Sequence, residues 1–408
     1  MYAYMRDALL KTLALGGAVA ALASYVRWRR ASRPQTLHLV LIGFGAVHKA
    51  LVRLIAREER RLLEEHNLVV KYRAIVARHG AWEAAPACSL SAETVASLAD
   101  QVKPLCGRGP AGVRAHSSPD EATVRGIIAR ACKGRGLRCL CEAIDVDYEA
   151  GEPATTYLAD ALRLGCHAVS ANKGPVVHHR ERLLALAKQA GARYLHESAV
   201  MDGVPLFSLW RGGFAPGGAQ LLSFRGCLNS TTGVVLQGMH DGKSMAQSLK
   251  LAQDAGIAEA DPSGDLSGMD AAVKVVALAV ALELHRCTRP DGTDAPPLRL
   301  ADVQVSGIER VSPEQVCEVG GRGRKLRLVA GATAVDAADG ARRIDAYVRV
   351  EELGPGDPLF ALQGADAAVM LKTDRLAPVT IVQTGSVVED TAFGTFADIV
   401  RACRPVPV

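Results

Sequence analysis

The spacing of apolar positions changes along the chain and divides it. Leu37 to Ile42 is an unbroken apolar run, the mark of a strand covered on both faces, and it ends in Gly43-Phe44-Gly45-Ala46-Val47-His48. Beyond that turn, Val47, Leu51, Leu54, Ile55 and Leu62 recur at helical spacing. The pattern then predicts strands over 69–77, 137–144, 166–170 and 193–195, alternating with helices over 91–105, 118–132, 154–164 and 181–190. Such alternation predicts a parallel sheet with helices on its faces. After residue 195 the rhythm shifts. The stretch 221–228 alternates with period two, and 326–330, 343–350, 367–371 and 379–382 also read as strands. Helices are predicted over 244–255, from Met269 onward, and over 391–401. An α/β unit is therefore expected to precede an α+β unit with a mostly antiparallel sheet.

At 408 residues, with 49% apolar and 22% charged positions, the chain can bury a large core, and two domains are the default. The net charge of +5 comes largely from Arg6, Lys11, Arg27, Arg29, Arg30 and Arg33. The remaining body is near neutral, which gives no footing for nucleic-acid binding. Ten cysteines are scattered without a C-x-x-C pair, so neither zinc nor disulfides are expected, and reduced thiols in an intracellular compartment are. Residues 1–35 differ from all that follows: Ala8 to Val26 is apolar except for Lys11, and an arginine cluster closes the run. A transit segment for a plastid or mitochondrion, a short membrane anchor and a merely packing helix all fit this leader. Without a transit segment the protein would be cytoplasmic or membrane-anchored, and the leader would be its sole route to a membrane.

Candidate chemistry gathers in two places. The first is the strand–turn–helix at Gly43, where Gly43 permits the tight turn and Gly45 lets the backbone approach a pyrophosphate at the helix N-terminus. His48 stands at the third glycine position. The second predicted strand ends in Arg78 rather than in a carboxylate, and a cation there suits a 2′-phosphate, which favours NADP over NAD. Further along, Glu142 to Asp145 and then Ala171-Asn172-Lys173-Gly174-Pro175 are delivered to the carboxyl edge of the same sheet, where ligands gather. Lys173 reads equally as a solvated turn lysine or as a functional one.

The second place is Ile257 to Lys274. Glu259, Asp261, Asp265 and Asp270 crowd a segment broken by Pro262, Gly264 and Gly268, and a strongly apolar helix follows. Asp270 falls near the helix start, with Lys274 one turn on over the same face. A plain surface pair has this spacing too, but a lysine on so apolar a helix is a candidate proton carrier. Upstream, Asn229-Ser230-Thr231-Thr232-Gly233 clusters short hydrogen-bonding side chains, and glycine and proline break regular structure from Glu197 to Pro205, where turned carbonyls suit a hard cation or form a simple turn.

Taken in order, these segments resemble the homoserine dehydrogenase family over residues 36–408. The resemblance rests on Gly43-Phe44-Gly45-Ala46-Val47, Ala171 to Pro175, Glu197 to Val200 with Gly203-Val204-Pro205, and most specifically on Gly226 to Thr232 and Ala252 to Lys274. It implies a Rossmann-type domain over 36–195, to which a C-terminal helix within 388–408 returns, and a catalytic and dimerisation domain over 196–387. It also implies the short, monofunctional form, acting as a homodimer. The implied reaction is reversible NAD(P)H-dependent reduction of L-aspartate 4-semialdehyde to L-homoserine, in threonine and methionine biosynthesis. By the family pattern Lys274 carries the proton, Asp270 orients the substrate and Lys173 flanks the reacting centre. Glu259 and Asp265 hold the substrate ammonium, with Thr231 also on the substrate. Gly43, Gly45, Ala46, Val47, Arg78, Lys173 and Gly256 contact the cofactor, NADP with NAD as the alternative. A monovalent cation such as sodium maps onto Glu197, Val200, Asp202 and Val204, mainly through backbone oxygens.

Three positions depart from the family pattern: His48, Asp202 within Met201-Asp202-Gly203, and Val387 in the turn Thr384 to Val388. They leave room for a related dehydrogenase of another small amino or hydroxy acid. A noncatalytic nucleotide-binding or leader-tethered scaffold is opposed by the joint presence of Lys173, Glu259, Asp270 and Lys274.

Overall fold

The computed structural model describes residues 34–101, 105–286, 295–336 and 342–404, so the leader reading lies almost wholly outside the described residues. Two sheets organise the chain, each with its own core. The first has seven strands: β1 (Gln35–Ile42), β2 (Leu68–Ala77), β3 (Gly80–Ala84), β4 (Val113–Ser117), β5 (Leu137–Glu142), β6 (His167–Ser170) and β7 (Tyr194–Leu195), in the order β4-β3-β2-β1-β5-β6-β7. β1 pairs in parallel with β2 on one side and β5 on the other, and β6 and β7 continue in parallel. The chain thus reverses direction of travel across the sheet at β1, which opens a crevice at the carboxyl ends of β1, β2 and β5.

Its helices are α1 (Ala46–Arg57), α2 (Glu59–His66), α3 (Ala92–Leu98), α4 (Glu121–Ala131), α5 (Ala154–Arg163) and α6 (Lys173–Gln189). They cover both faces. Leu39, Leu41, Leu51 and Ile55 pack on one side, and Val40, Ile42, Ile127 and Leu158 on the other. A strand that alternates between two apolar layers shows no polar face, which is why β1 reads as continuous apolar sequence.

The second sheet has the order β13-β12-β8-β10-β11-β9, from β8 (Leu221–Cys227), β9 (Val303–Val305), β10 (Lys325–Asp336), β11 (Arg342–Leu353), β12 (Ala367–Thr373) and β13 (Val379–Gln383). All its pairings are antiparallel except β9 with β11. Before it come α7 (Leu206–Leu209) and the π-helical segment Trp210–Phe214 that continues it; with it come α8 (Ser230–His240), α9 (Met245–Asp254), α10 (Ser263–Leu266), α11 (Met269–Ala281), α12 (Pro313–Gly321) and α13 (Val388–Cys403). α11 is the spine of this core, buried from Ala271 to Ala281 except at Lys274. α13 crosses back to lie on α1, where Ala392, Phe396, Ile399 and Val400 join the core of the first sheet.

Several elements differ from the pattern-based expectation. α6 begins at Lys173, eight residues before the predicted start at Glu181, because Asn172 caps it by accepting the Gly174 N–H at 3.0 Å. Asn229 does the same for α8, accepting the Thr232 N–H at 2.9 Å, so the cluster of short polar side chains forms the cap and first turn of a helix. The helix expected over 91–105 is short, and the Gly/Pro-rich segment after it carries β4, an edge strand with little apolar alternation. α10 is a single turn inside a stretch whose glycine and proline argued against any helix. Among the described residues no helix is long and apolar enough to cross a membrane.

Candidate active site

The crevice at β1 is a cleft of about 850 Å³ lined by Gly43, Gly45, Lys49, Arg78, Asp145 and Tyr157, among others. Gly43 has φ of +87°, and a Cβ on it would lie 2.3 Å from the Ala143 carbonyl oxygen, so the turn admits only glycine. Gly45 caps α1 without a side chain, Ala46 and Val47 open the helix, and its first turn carries no acid, which leaves backbone N–H groups aimed at the cleft. His48 is buried beneath the turn, with Nδ1 2.6 Å from the Gly43 carbonyl. Burial pushes its pKa down to about 4, against the opposing hydrogen bond to Gly43, so a neutral imidazole donates to that carbonyl and braces the loop. The third glycine is thereby replaced by a strut. These features fit a dinucleotide pyrophosphate.

Arg78 stands exposed at the end of β2, its guanidinium against the Asp145 carboxylate. Neighbouring Glu142, expected at the ligand edge, is fully buried and serves as a bracket instead. It accepts the Ile144 N–H at 2.8 Å, the Ser170 hydroxyl at 2.6 Å and the Asn172 amide at 3.2 Å. Burial raises its pKa against those three hydrogen bonds. The bracket fixes the turn that presents Lys173 as the first residue of α6.

Lys173 meets the second sheet there. Its Nζ lies 3.3 Å from Asp270, and Lys274 Nζ lies 2.9 Å from the same carboxylate. Lys274 also donates to the Leu228 carbonyl at 2.6 Å. Gly268, at φ +84°, ends the acidic loop and starts α11, placing Asp270 in its first turn. Burial alone would raise the Asp270 pKa; Lys274, then Lys173, then the hydrogen bonds from Lys274 and Asn229 outweigh it and hold the carboxyl far below the usual range. It is therefore an anion flanked by two ammonium groups, and the triad carries one net positive charge.

Asn229 extends the cluster. While its oxygen caps α8, its amide nitrogen donates to Asp265 at 2.7 Å and to Asp270 at 3.0 Å. Sequence reasoning placed Asn229 only within a polar cluster; its position directly after an alternating strand was the signal for a cap, and so for a fixed side chain. Thr231 is buried on α8 and its hydroxyl reaches the Ile257 carbonyl at 3.4 Å, tying the helix to the start of the acidic loop. Glu259 is exposed, and its carbonyl accepts from Gln253 at 3.2 Å. Gly256 has φ of +69° beyond the end of α9, with open space around it.

The expected cation residues take other partners. The Glu197 carboxylate accepts the Phe207 and Ser208 N–H groups at 2.6 and 3.0 Å and pairs with Arg401 at 2.9 Å. Asp202 accepts from the hydroxyls of Thr391, at 2.9 Å, and Ser386, and the Val204 carbonyl accepts the Leu206 N–H at 2.7 Å. Both carboxylates are engaged by these donors, and no group of three His, Cys, Asp or Glu side chains suited to a metal occurs among the described residues. Val200, extended at the end of the bend, could offer only backbone oxygen. Val387, at the departing turn, is 57% exposed.

Comparison with known proteins agrees with this architecture. The family model described as homoserine dehydrogenase matches residues 205–400. An NAD(+)-dependent homoserine dehydrogenase of Pseudomonas canavaninivorans is 31% identical over 371 residues, covering 89% of this chain and 95% of that protein. A homoserine dehydrogenase of Methanocaldococcus jannaschii is 28% identical over 368 residues, 90% of this chain and 98% of its own. Among solved structures, a hyperthermophilic archaeal homoserine dehydrogenase in complex with NADPH shares the fold with a TM-score of 0.68 at 22% identity, covering 90% of this chain and 97% of that one. The chain belongs to the homoserine dehydrogenase family.

Proposed function

We propose that this protein is an NAD(P)-dependent homoserine dehydrogenase, interconverting L-aspartate 4-semialdehyde and L-homoserine. One observation carries the assignment: Asp270 held between Lys173 and Lys274 at the meeting of the two sheets, linked through Asn229 to Asp265. We assign nucleotide binding to residues 36–195 together with α13, and catalysis to 196–387.

NAD(P)H, when bound, would supply the hydride; Gly43, Gly45, Ala46 and Val47 would hold its pyrophosphate, and Gly256 and Lys173 would contact it. As hydride reaches the aldehyde carbon, negative charge grows on its oxygen. Lys274 has three N–H groups; one faces Asp270 and one the Leu228 carbonyl, which leaves the third for that oxygen. It donates this proton as the C–O⁻ forms, yielding the alcohol, and in the reverse direction the same nitrogen takes the hydroxyl proton. Lys173 adds a second cation beside the oxygen, while Asp270 keeps both ammonium groups in place. Glu259 and Asp265 receive the substrate ammonium, and Thr231 backs them. A monovalent cation would be held by backbone oxygens of the Glu197 to Val204 bend.

For the cofactor, Arg78 without a carboxylate beside it on β2 favours NADP. Asp145, which faces Arg78, favours NAD if it turns to a ribose hydroxyl. The activity is tested by measuring reduction of NADP+ and NAD+ by the purified chain with L-homoserine and with a panel of other small amino and hydroxy acids. Turnover should be highest with L-homoserine. Greater turnover with another acid would replace the substrate, and none with any would remove the enzymatic reading.

A further inference from the structure

The chain between β5 and α5 passes directly over the start of α6 and is pinned there through several backbone groups. Asp147 gathers the N–H groups of Glu149, Ala150 and Glu152 at 3.0, 3.3 and 3.1 Å. From α6, His178 and His179 hold the carbonyls of Tyr148 and Ala150 at 3.0 and 3.1 Å. Gly151 and Gly174 pack backbone to backbone, so closely that a Cβ on Gly151 would lie 2.7 Å from the Gly174 carbonyl carbon, and one on Gly174 would lie 2.8 Å from the Asp147 carbonyl oxygen. The loop is thereby fixed to the residue next to Lys173.

Tyr148 is half-buried in this loop, and its hydroxyl has no hydrogen-bond partner among the described residues. The charges that act on its phenol are Asp270, Lys274, Asp265 and Glu259, which belong to the proposed proton carrier and ammonium site on the opposite sheet. Burial first, and those carboxylates next, raise its pKa against Lys274, so the phenol stays protonated and can donate.

An amino-acid substrate presents three polar groups to the cleft. Its ammonium is taken by Glu259 and Asp265, and its reacting oxygen by Lys274 and Lys173, both anchored on Asp270. The carboxylate still lacks a donor. We propose that Tyr148 supplies it: the phenol, held on the wall formed by the first sheet, donates a hydrogen bond to the substrate α-carboxylate and makes the cleft selective for amino acids over simple alcohols. A bond of this kind to a charged group is worth roughly 10- to 100-fold in affinity.

The inference rests on the homoserine dehydrogenase reading and is tested with Tyr148→Phe in the full chain. The expected result is a KM for L-homoserine raised about 10- to 100-fold. The kcat should stay within about threefold and the KM for NAD(P)+ within about twofold, the latter showing that the loop and cofactor cleft are intact. An unchanged homoserine KM would overturn the inference. So would a fall in kcat alone, or an equal rise in the KM for NAD(P)+, each of which points to a structural role. Wild-type protein without homoserine turnover would overturn the function itself and this inference with it.

Discussion

At Asp270, desolvation and charge pull in opposite directions, and the two lysines decide the outcome. An isolated carboxylate so placed would be driven neutral; flanked at 2.9 and 3.3 Å it stays ionised and fixes both ammonium groups. The i, i+4 spacing of Asp270 and Lys274 was legible in the sequence, and so was the acidic run before it. The partner from the other sheet was not, because Lys173 is nearly a hundred positions away and no local period connects it to α11. Arg78 is a simpler case. Its guanidinium is exposed and pairs with an exposed carboxylate, a contact that contributes little on its own, which leaves it available to a phosphate. Arg78→Ala should weaken NADPH about 10- to 100-fold in a fluorescence titration and leave NADH within about twofold. An equal loss for both would show that Arg78 does not read the phosphate.

At the scale of elements, α13 and the Glu197 bend hold the two sheets together by charges withdrawn from water. Asp398 is fully buried on α13, accepts the Glu197 N–H at 2.7 Å, and shares Arg401 with the Glu197 carboxylate. Burial pushes its pKa up to about 6; the Glu197 N–H, Arg211 and Arg401 oppose that, and the Glu197 charge adds to it. Between the ordinary carboxyl value near 4 and about 6, the folded state binds more protons at this position than the unfolded state. Stability from this group is therefore present at acid pH and declines as pH rises through that window, by roughly 3 kcal/mol. Asp398→Asn should gain on the wild type by up to that amount between pH 4 and pH 6.5 in urea denaturation. A wild-type-minus-variant difference that does not change with pH would contradict the assignment. No reading of residues 391–401 as an amphipathic helix could expose this: an aspartate on the buried side contradicts the apolar stripe, and the Glu197 N–H that it accepts lies some 200 positions upstream. The early start of α6 was hidden for a different reason. Asn172 caps it, but Gly174 and Pro175 in its first turn suppress the local helical signal.

At the scale of the whole molecule, the two sheets divide the labour. The first presents a pyrophosphate turn and Lys173 at its carboxyl edge; the second presents Asp270, Lys274 and the acidic loop. α6 and α11 bring the halves together, with Val176 buried in the core of the second sheet and Arg180 reaching the Ala281 carbonyl at 3.4 Å at the other end of the contact. The α/β-then-α+β order and the strand–glycine–helix unit were legible because each depends on local period. Where the sheets touch depends on packing between distant segments, and no local period reveals that Asn229 is a shared donor, His48 a strut and Glu197 an ion-pair partner. The central claim is that the ammonium of Lys274, positioned by Asp270, carries the proton. Its most direct test is the turnover of L-homoserine by Lys274→Ala, with NADPH binding measured on the same preparation. The predicted result is a loss of about 10²- to 10⁴-fold or more in kcat with NADPH affinity retained. Near-normal turnover in that variant would contradict the account.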